Sequence, residues 1–214
     1  KPGRINENFR NEFWNNFEHI LLGVLTQMEK IYLKLLEKVD EIKNSPSKDG
    51  AKFLAQSLPN NFITQRRFFD GNGRQEWVSL LKGSVVFRQP PDVEVLDDAE
   101  QIGPLHWPVM DYLKSMAAIK DEKIEDDIVE IVLCMPSTSN MRVNSSIIDI
   151  AEALPIEKSK SLKEKIIEAG TALGGSIFMK DFSSLLCFWA SSGAKEEALA
   201  LAAWLFDIEK NDRA

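Results

Sequence analysis

The feature that most constrains the fold is a fixed spacing of 35 residues between apolar positions in the second half of the chain. It relates three sets of residues: Tyr112, Ile147 and Phe182; Met116, Ala151 and Leu186; and Ile119, Leu154 and Trp189. Within each copy the positions advance by four and then three residues, which keeps them on one face of an α-helix. Periods of this length are typical of stacked helical pairs that bury their apolar faces against one another. We therefore expect an all-α protein with a right-handed α-solenoid of about three helical pairs over residues 107–214.

The second helices of these pairs align less strictly. Ile128, Val132 and Met135 correspond to Leu162, Ile166 and Ala169 at an offset of 34, and those to Ala198, Ala202 and Leu205 at an offset of 36. Drift of one residue in the loops explains both offsets. Trp77 and Leu81 lie 35 residues before Tyr112 and Met116, which indicates a divergent fourth copy.

Residues 1–44 are predicted to form one long amphipathic helix. Its apolar positions recur in steps of four, four and three residues: Phe9, Phe13, Phe17, Ile20, Val24, Met28, Ile31, Leu35, Val39 and Ile42. This eleven-residue pattern predicts a nearly straight helix. Because further apolar residues make the stripe broader than a dimer seam, we expect it to lie along other helices, in this chain or in the rest of a longer polypeptide. A homodimeric coiled coil and a break near Gly23 are the alternatives.

Residues 51–106 are predicted to be a small helical segment with a long acidic loop. Short helices are expected at 51–58, at 61–69 and near Arg74–Lys82. The following stretch, 83–105, holds three prolines and, between Asp92 and Glu100, five carboxylates. It is predicted to be a long exposed loop or a small hairpin built on Ser84–Arg88. The acidic loop 92–100 and the exposed face of the repeat helices are candidate contact surfaces.

The charge balance argues against a general nucleic-acid or anionic-membrane binder. The net charge is −7, and residues 111–214 contribute −6 of it, from twelve basic and eighteen acidic groups. Both kinds of binder need an excess of Lys and Arg.

Cys134 and Cys187 lie within apolar helical patterns, so we expect both to be reduced core residues. With no signal peptide and no apolar run near 18 residues, we expect a cytoplasmic protein. The chain begins at Lys1, and we expect it to be one region of a longer polypeptide.

The residue types that usually carry catalysis are sparse. His19 and His106 are the only histidines and belong to no zinc-hydrolase pattern. No glycine motif matches a dinucleotide-binding or phosphate-binding loop. We therefore expect no catalytic, cofactor-binding or metal-binding residue. Glu122, Glu125 and Asp126 share a helix face and could bind a divalent ion, but an acidic first helical turn is the favoured interpretation.

One basic and aromatic patch could contact nucleic acid. Arg66, Arg67 and Arg74 could bind phosphate, with Phe68 and Phe69 stacking on a base. Three arginines against this net charge are few, and the two phenylalanines fit a hydrophobic core better.

Residues 62–155 resemble a helical-repeat region, HEAT-like or TPR-like, of large and mostly uncharacterised bacterial proteins. The motifs that carry the resemblance are LHWPVMDYLKSMA, opening a helix at Trp107-Pro108, and the Asn140 linker before a helix that ends in Ala153-Leu154-Pro155. Tyr112 and Leu113 also match. Some proteins with such repeats carry ATPase or nuclease domains and are associated with defence against foreign DNA. The resemblance implies a helical scaffold and transfers no catalytic residue.

The function expected from these observations is a non-catalytic helical-repeat scaffold of a larger bacterial protein. Its partner would be another protein or flanking domains of the same polypeptide; nucleic acid and membrane are not expected partners. The first alternative is a nucleic-acid-associated sensor region that uses Arg66, Arg67 and Arg74. The second is an enzyme with an unfamiliar helical site around His106 and the acidic loop.

Overall fold

The computed structural model describes residues 7–91, 106–172 and 179–212, and this part of the chain is helical without any β-strand. The helices are α1 (Glu7–Lys43), α2 (Lys48–Ser57), α3 (Phe62–Phe69), α4 (Glu76–Leu81), α5 (Pro108–Ala117), α6 (Glu122–Leu133), α7 (Met141–Ala153), α8 (Ile156–Ser161), α9 (Lys163–Ala172), α10 (Met179–Ser191) and α11 (Lys195–Asp212). The predictions of an all-α protein and of a long N-terminal helix are confirmed. No described helix is long and apolar enough to cross a membrane.

The helices pack in two rows that follow the chain. One row runs through α1, α3, α5, α7 and α10, and the other through α2, α4, α6 and α8. Further contacts join α5 to α6, α7 to α9 and α10 to α11. Each helix therefore packs mainly on neighbours that are close in sequence. The name helical body is used below for α2 to α11.

Residues at the 35-residue spacing supply much of the core. Trp77, Tyr112, Ile147 and Phe182 are each no more than 2% exposed. In the third set, Leu154 and Trp189 are buried but Ile119 is exposed. The reason is local: α5 ends at Ala117 and Lys120 takes a positive φ of 62°, so Ile119 lies in the turn after the helix. The right-handed solenoid with a fixed 35-residue period stays a prediction.

Local capping explains where several helices begin. The side chains of Ser47, Asn61, Asp121 and Asn140 each accept a hydrogen bond from a backbone N–H in the first turn of the helix that follows. These caps satisfy donors that a helix cannot pair internally. Pro108 occupies the first turn of α5, where its missing N–H removes no helical hydrogen bond.

The middle segment differs from its prediction at one point. Instead of a hairpin on Ser84–Arg88, the chain forms a short 3₁₀ turn at Val85–Phe87. Val86 and Phe87 are buried, and the turn packs on α2. The hairpin alternative is wrong: Val86 and Phe87 are adjacent and both buried, whereas successive side chains of a strand point to opposite faces. Residues 92–100, the acidic loop, lie outside the described residues.

Both cysteines are exposed and free, so their assignment to the core is wrong. Cys134 is the C-cap residue of α6, beyond the last helical turn that packs inward. Cys187 lies on the outer side of α10, away from the face that buries Phe182, Leu185 and Trp189. Both residues are one or two positions away from a buried stripe, which is enough to turn a helical side chain towards solvent.

Candidate functional site

The exposed face of α1 is the most distinctive surface of the described chain. α1 runs unbroken through Gly23, so the alternative of two helices is wrong. Among the α1 side chains that the structure describes, those of the C-terminal turns join the core, through buried Val39 and the partly buried Leu35 and Ile42. Nine large apolar side chains further towards its N-terminus are exposed, and two of them, Leu22 and Leu33, lie on the opposite side of the helix. The other seven share one side and are between 45% and 68% exposed: Phe17, Ile20, Leu21, Val24, Leu25, Met28 and Ile31. We call these seven residues the exposed α1 face.

The exposed α1 face is larger than an ordinary surface patch. Seven side chains at roughly 100 Å² each present on the order of 700 Å² of apolar surface, above the ~300–600 Å² of the largest patch on a typical monomer. The helix was expected to lie along other helices, but among the described residues only its C-terminal turns do so. Helix 16–34 carries Glu18, Glu29, Lys30 and Lys34, so its formal charge is zero with His19 neutral. This stretch therefore presents apolar surface without net charge.

The base of α1 is anchored to the helical body by polar contacts. Lys43 Nζ donates to the backbone oxygens of Arg67 and Asp70, at 3.1 and 2.6 Å, at the C-terminal end of α3. A cation at this position complements the helix dipole. Burial is the main cause that lowers the pKa of Lys43. Trp77 Nε1 donates to the Lys43 backbone oxygen at 3.0 Å. The exposed part of α1 therefore projects from a fixed base.

Two of the three arginines proposed for nucleic acid lie together, but carboxylates already hold them. Arg67 Nε and Nη2 donate to the Asp40 carboxylate, with the shortest distance 2.6 Å. This hydrogen-bonded pair lowers the pKa of Asp40. Arg66 Nε donates to Asp70 Oδ2 at 3.0 Å. Both arginines border a groove of about 460 Å³ between α1 and α3.

The rest of this patch does not assemble into a nucleic-acid site. Phe68 and Phe69 are buried, which confirms the core interpretation, and Phe68 contacts Trp77 edge to face at a centroid distance of 5.3 Å. Their rings therefore offer no face to a base. Arg74 is exposed in the loop before α4 and does not line the groove. A phosphate in the groove would have to replace Asp40 at Arg67.

The carboxylates on α6 act as a cap and as ion-pair partners. Asp121 caps the helix by accepting from Ile124 N at 3.1 Å. Lys158 Nζ of α8 lies 3.1 Å from Glu125 Oε2 and 2.8 Å from Asp126 Oδ1, and donates to the Glu122 backbone oxygen at 2.7 Å. Burial lowers the pKa of Lys158, but these carboxylates outweigh burial and the net shift is upward. In the described part of the chain, no group of three His, Cys, Asp or Glu residues is placed to hold a metal ion.

A second charged cluster, which sequence reasoning missed, joins α4 to α6. Lys82 Nζ lies 2.7 Å from Asp127 Oδ1 and 2.6 Å from Glu130 Oε2, and Ser79 Oγ also donates to Asp127. Burial raises the pKa of Asp127, but the hydrogen bonds from Lys82 and Ser79 outweigh it and the net pKa is lowered. The partners are 45 or more residues apart, so no local pattern pairs them.

A third cluster closes the turn between α6 and α7. Lys165 is buried, and its Nζ donates to the Met135 backbone oxygen at 2.7 Å and to Glu168 Oε2 at 2.9 Å. Ser137 donates to the other oxygen of Glu168, which together with Lys165 lowers the pKa of that carboxyl. This lysine stabilises the end of α6 and has no exposed charge to offer a ligand.

Among the described residues, one ionisable group lies close to His106. Its Nε2 lies 3.3 Å from Asp111 Oδ2, across the first turn of α5. Asp111 also borders a shallow cleft of about 180 Å³ with Asn72, Tyr112 and Ser115. The acidic loop that the enzyme alternative places beside His106 lies outside the described residues. The geometry available is a histidine and a carboxylate at a helix entrance, without a nucleophile between them.

A second apolar surface lies at the opposite end of the helical body. The groove between α10 and α11 has a volume of about 400 Å³ and is bordered by Leu186, Cys187, Ala190, Ala198, Leu199 and Ala202. Leu199 and Phe206 on α11 are also largely exposed. Both ends of the row of helices therefore present apolar surface.

Comparison with known proteins adds no relative. No family model matches the chain, and neither a curated protein nor a solved structure is significantly similar to it.

Proposed function

We propose that this chain is a non-catalytic helical scaffold, HEAT-like or TPR-like, that mediates protein–protein or interdomain contacts within a larger bacterial protein in the cytoplasm. The observation that carries the proposal is the exposed α1 face on a helix whose base is fixed to the helical body. A helix with such a face gains by laying it against another apolar surface, since each square ångström removed from water contributes about 25 cal/mol.

The charges support a protein partner over the other classes. Arg66 and Arg67 are paired with carboxylates, and residues 16–34 of α1 carry equal numbers of acidic and basic side chains. Nucleic acid and anionic lipid both select clustered, unpaired cations. A neutral apolar helix face selects the apolar surface of a protein instead.

The test is site-specific photo-crosslinking in the native polypeptide that contains this sequence. A photoreactive side chain replaces Ile31, on the exposed α1 face, or Thr26, an exposed residue on the opposite side of the same helix. Position 31 should give discrete adducts with a protein segment, whether from another protein, a flanking domain or a second copy. Position 26 should give far fewer. Equal, background-level yields at both positions would show that the face is not covered and would refute the proposal.

A further inference from the structure

The exposed α1 face has a symmetry that bears on what covers it. The residues along its centre are Phe17, Ile20, Val24, Met28 and Ile31, and the steps between them are three, four, four and three. This order is the same read in either direction from Val24. Two copies of the helix laid antiparallel would therefore place apolar residues at matching levels: Phe17 with Ile31, Ile20 with Met28, and Val24 with Val24.

The position of the helical body decides between the two possible directions of pairing. Leu35, Val39 and Ile42 pack on the helical body. They lie on the same side of α1 as the exposed α1 face, closer to the C-terminal end of the helix. In a parallel pair, both bodies would compete for the same space beside the C-terminal turns. In an antiparallel pair, the bodies lie at opposite ends, each next to the N-terminal turns of the partner helix. The antiparallel arrangement therefore separates the two bodies, whereas a parallel one brings them together.

Charge and area fit the same arrangement. The ten residues from His19 to Met28 contain no Asp, Glu, Lys or Arg, and residues 20–28 are centred on Val24. An antiparallel pair also keeps the two Glu18 side chains at opposite ends of this segment, whereas a parallel pair would bring them to the same level. With roughly 700 Å² from each copy, the contact would bury about 1,400 Å², inside the ~1,200–2,000 Å² of a standard stable interface.

We propose that α1 pairs antiparallel with α1 of a second copy of this chain, with Val24 on the two-fold axis. This inference rests on the proposed scaffold function and names its partner. The pair would form a central rod with one helical body at each end, so that the groove between α10 and α11 of each body is free for other contacts. A two-fold pair closes on itself, which limits the assembly to two copies.

Disulfide trapping tests the direction of pairing. Both native cysteines are exposed and can be replaced by Ser, after which single cysteines are introduced as Phe17→Cys, Val24→Cys or Ile31→Cys. Val24→Cys should form a disulfide with itself across the axis, because the two Cα atoms meet within the ~4–7 Å that a disulfide spans. A mixture of the Phe17→Cys and Ile31→Cys chains should crosslink to each other and neither to itself. Self-crosslinking at positions 17 and 31 would show a parallel pair and overturn the proposal.

The mass of the chain in solution tests whether the pair forms. At micromolar concentration we expect twice the 24.2 kDa of one chain. The double change Ile20→Glu and Ile31→Glu should raise the dimer dissociation constant by about 100-fold or more, since it buries charges in an apolar seam. Thr26→Glu, on the opposite side of the helix, should leave the dimer unchanged. Circular dichroism of all variants should show the same folded helical body.

The failures of the two proposals are distinguishable. If this chain is a 24.2 kDa monomer while position 31 of the native polypeptide still crosslinks to another protein or a flanking domain, the antiparallel pair is overturned and the scaffold function stands. A monomer that floats with phosphatidylcholine vesicles through the exposed α1 face would assign that face to lipid and overturn both. A dimer that the double glutamate change does not affect would place the contact elsewhere and overturn the antiparallel pair.

Discussion

At the scale of single residues, the aromatic side chains of the core are held by polar contacts as well as by packing. Trp189 Nε1 donates to Ser159 Oγ at 2.8 Å, and Tyr112 Oη donates to the Arg74 backbone oxygen at 2.7 Å. Burial is the main cause that raises the pKa of Tyr112 above its usual range. Each of these large rings therefore connects two helices or a helix and a loop, which fixes its orientation in the core.

Gly170 in α9 is a residue-scale test of close packing. A Cβ atom there would lie 2.6 Å from Trp204 Cη2 and 2.7 Å from Phe182 Cζ. Gly170→Ala should therefore destabilise the chain by about 1–3 kcal/mol, measured by urea unfolding. Gly23 in α1 is the matched control, since a Cβ there meets no atom within 4 Å. Gly23→Ala should be neutral or stabilise the helix by up to about 1 kcal/mol. Equal effects of the two changes would contradict the packing at Gly170.

At the scale of helices and turns, capping side chains set where several helices begin, and contacts between residues distant in sequence join neighbouring helices of each row. Asn140 does more than the other caps. Its Oδ1 accepts from Arg142 N at 3.0 Å, and its Nδ2 donates to the Pro91 backbone oxygen at 2.8 Å. One side chain therefore starts α7 and also holds the segment that leaves the 3₁₀ turn. Asn144 supports the turn between α6 and α7 by donating to the Thr138 backbone oxygen at 3.0 Å.

Asn140→Ala should cost more stability than the change at a simple cap. Loss of a cap costs about 0.5–2 kcal/mol, and loss of the bond to Pro91 should add about 1 kcal/mol. Asn61→Ala is the control, because Asn61 caps α3 by accepting from Thr64 N at 3.1 Å. Thermal and urea unfolding of both variants give the comparison. A cost at Asn140 no larger than that at Asn61 would show that the contact with Pro91 contributes nothing.

At the scale of the whole molecule, ion pairs connect successive helices along both rows. Asp40 with Arg67 links α1 to α3, Asp127 with Lys82 links α4 to α6, and Lys158 links α8 to α6. Most of these pairs are partly exposed, and exposed pairs contribute little to stability individually. Their common consequence is a dependence on pH, since several of the carboxyl groups have lowered pKa values.

The free energy of unfolding should fall in acid. The pKa values of Asp40 and Asp127 are lowered from 3.8, and that of Glu168 from 4.5. The unfolded chain therefore binds protons at higher pH than the folded chain does. The stabilisation is fully present above about pH 5 and is lost as the pH falls through 4.5 and below 3.8 towards the lowered values. Urea unfolding between pH 3 and pH 7 measures this dependence.

Asp127→Asn provides the control for the acid dependence. The variant should be less stable than the native chain at pH 7, by about 1–3 kcal/mol, because Lys82 and Ser79 lose a charged acceptor. Its stability should also fall less steeply between pH 5 and pH 3, because one of the lowered carboxyl groups has been removed. A native chain whose stability rises towards pH 3, or a variant with an unchanged slope, would contradict these assignments.

The sequence by itself determined the helices and much of the core, because both depend on local spacing. The unbroken α1, the all-α class, and the burial of Trp77, Tyr112, Ile147 and Phe182 follow from apolar residues recurring at helical intervals. Most boundaries were also readable from short-range signals, such as Pro108 and the capping residue Asn140.

Only the tertiary structure decided which residues meet across the chain. Arg67 faces Asp40, 27 residues away, so the candidate nucleic-acid patch is neutralised by a partner that no local pattern identifies. The cysteines are exposed and the 3₁₀ turn replaces a hairpin because burial depends on which neighbouring helix covers each face. For the same reason, the apolar pattern of α1 predicted a helix but not that its face from Phe17 to Ile31 would be exposed. A period specifies the face, whereas the neighbours specify whether that face is covered.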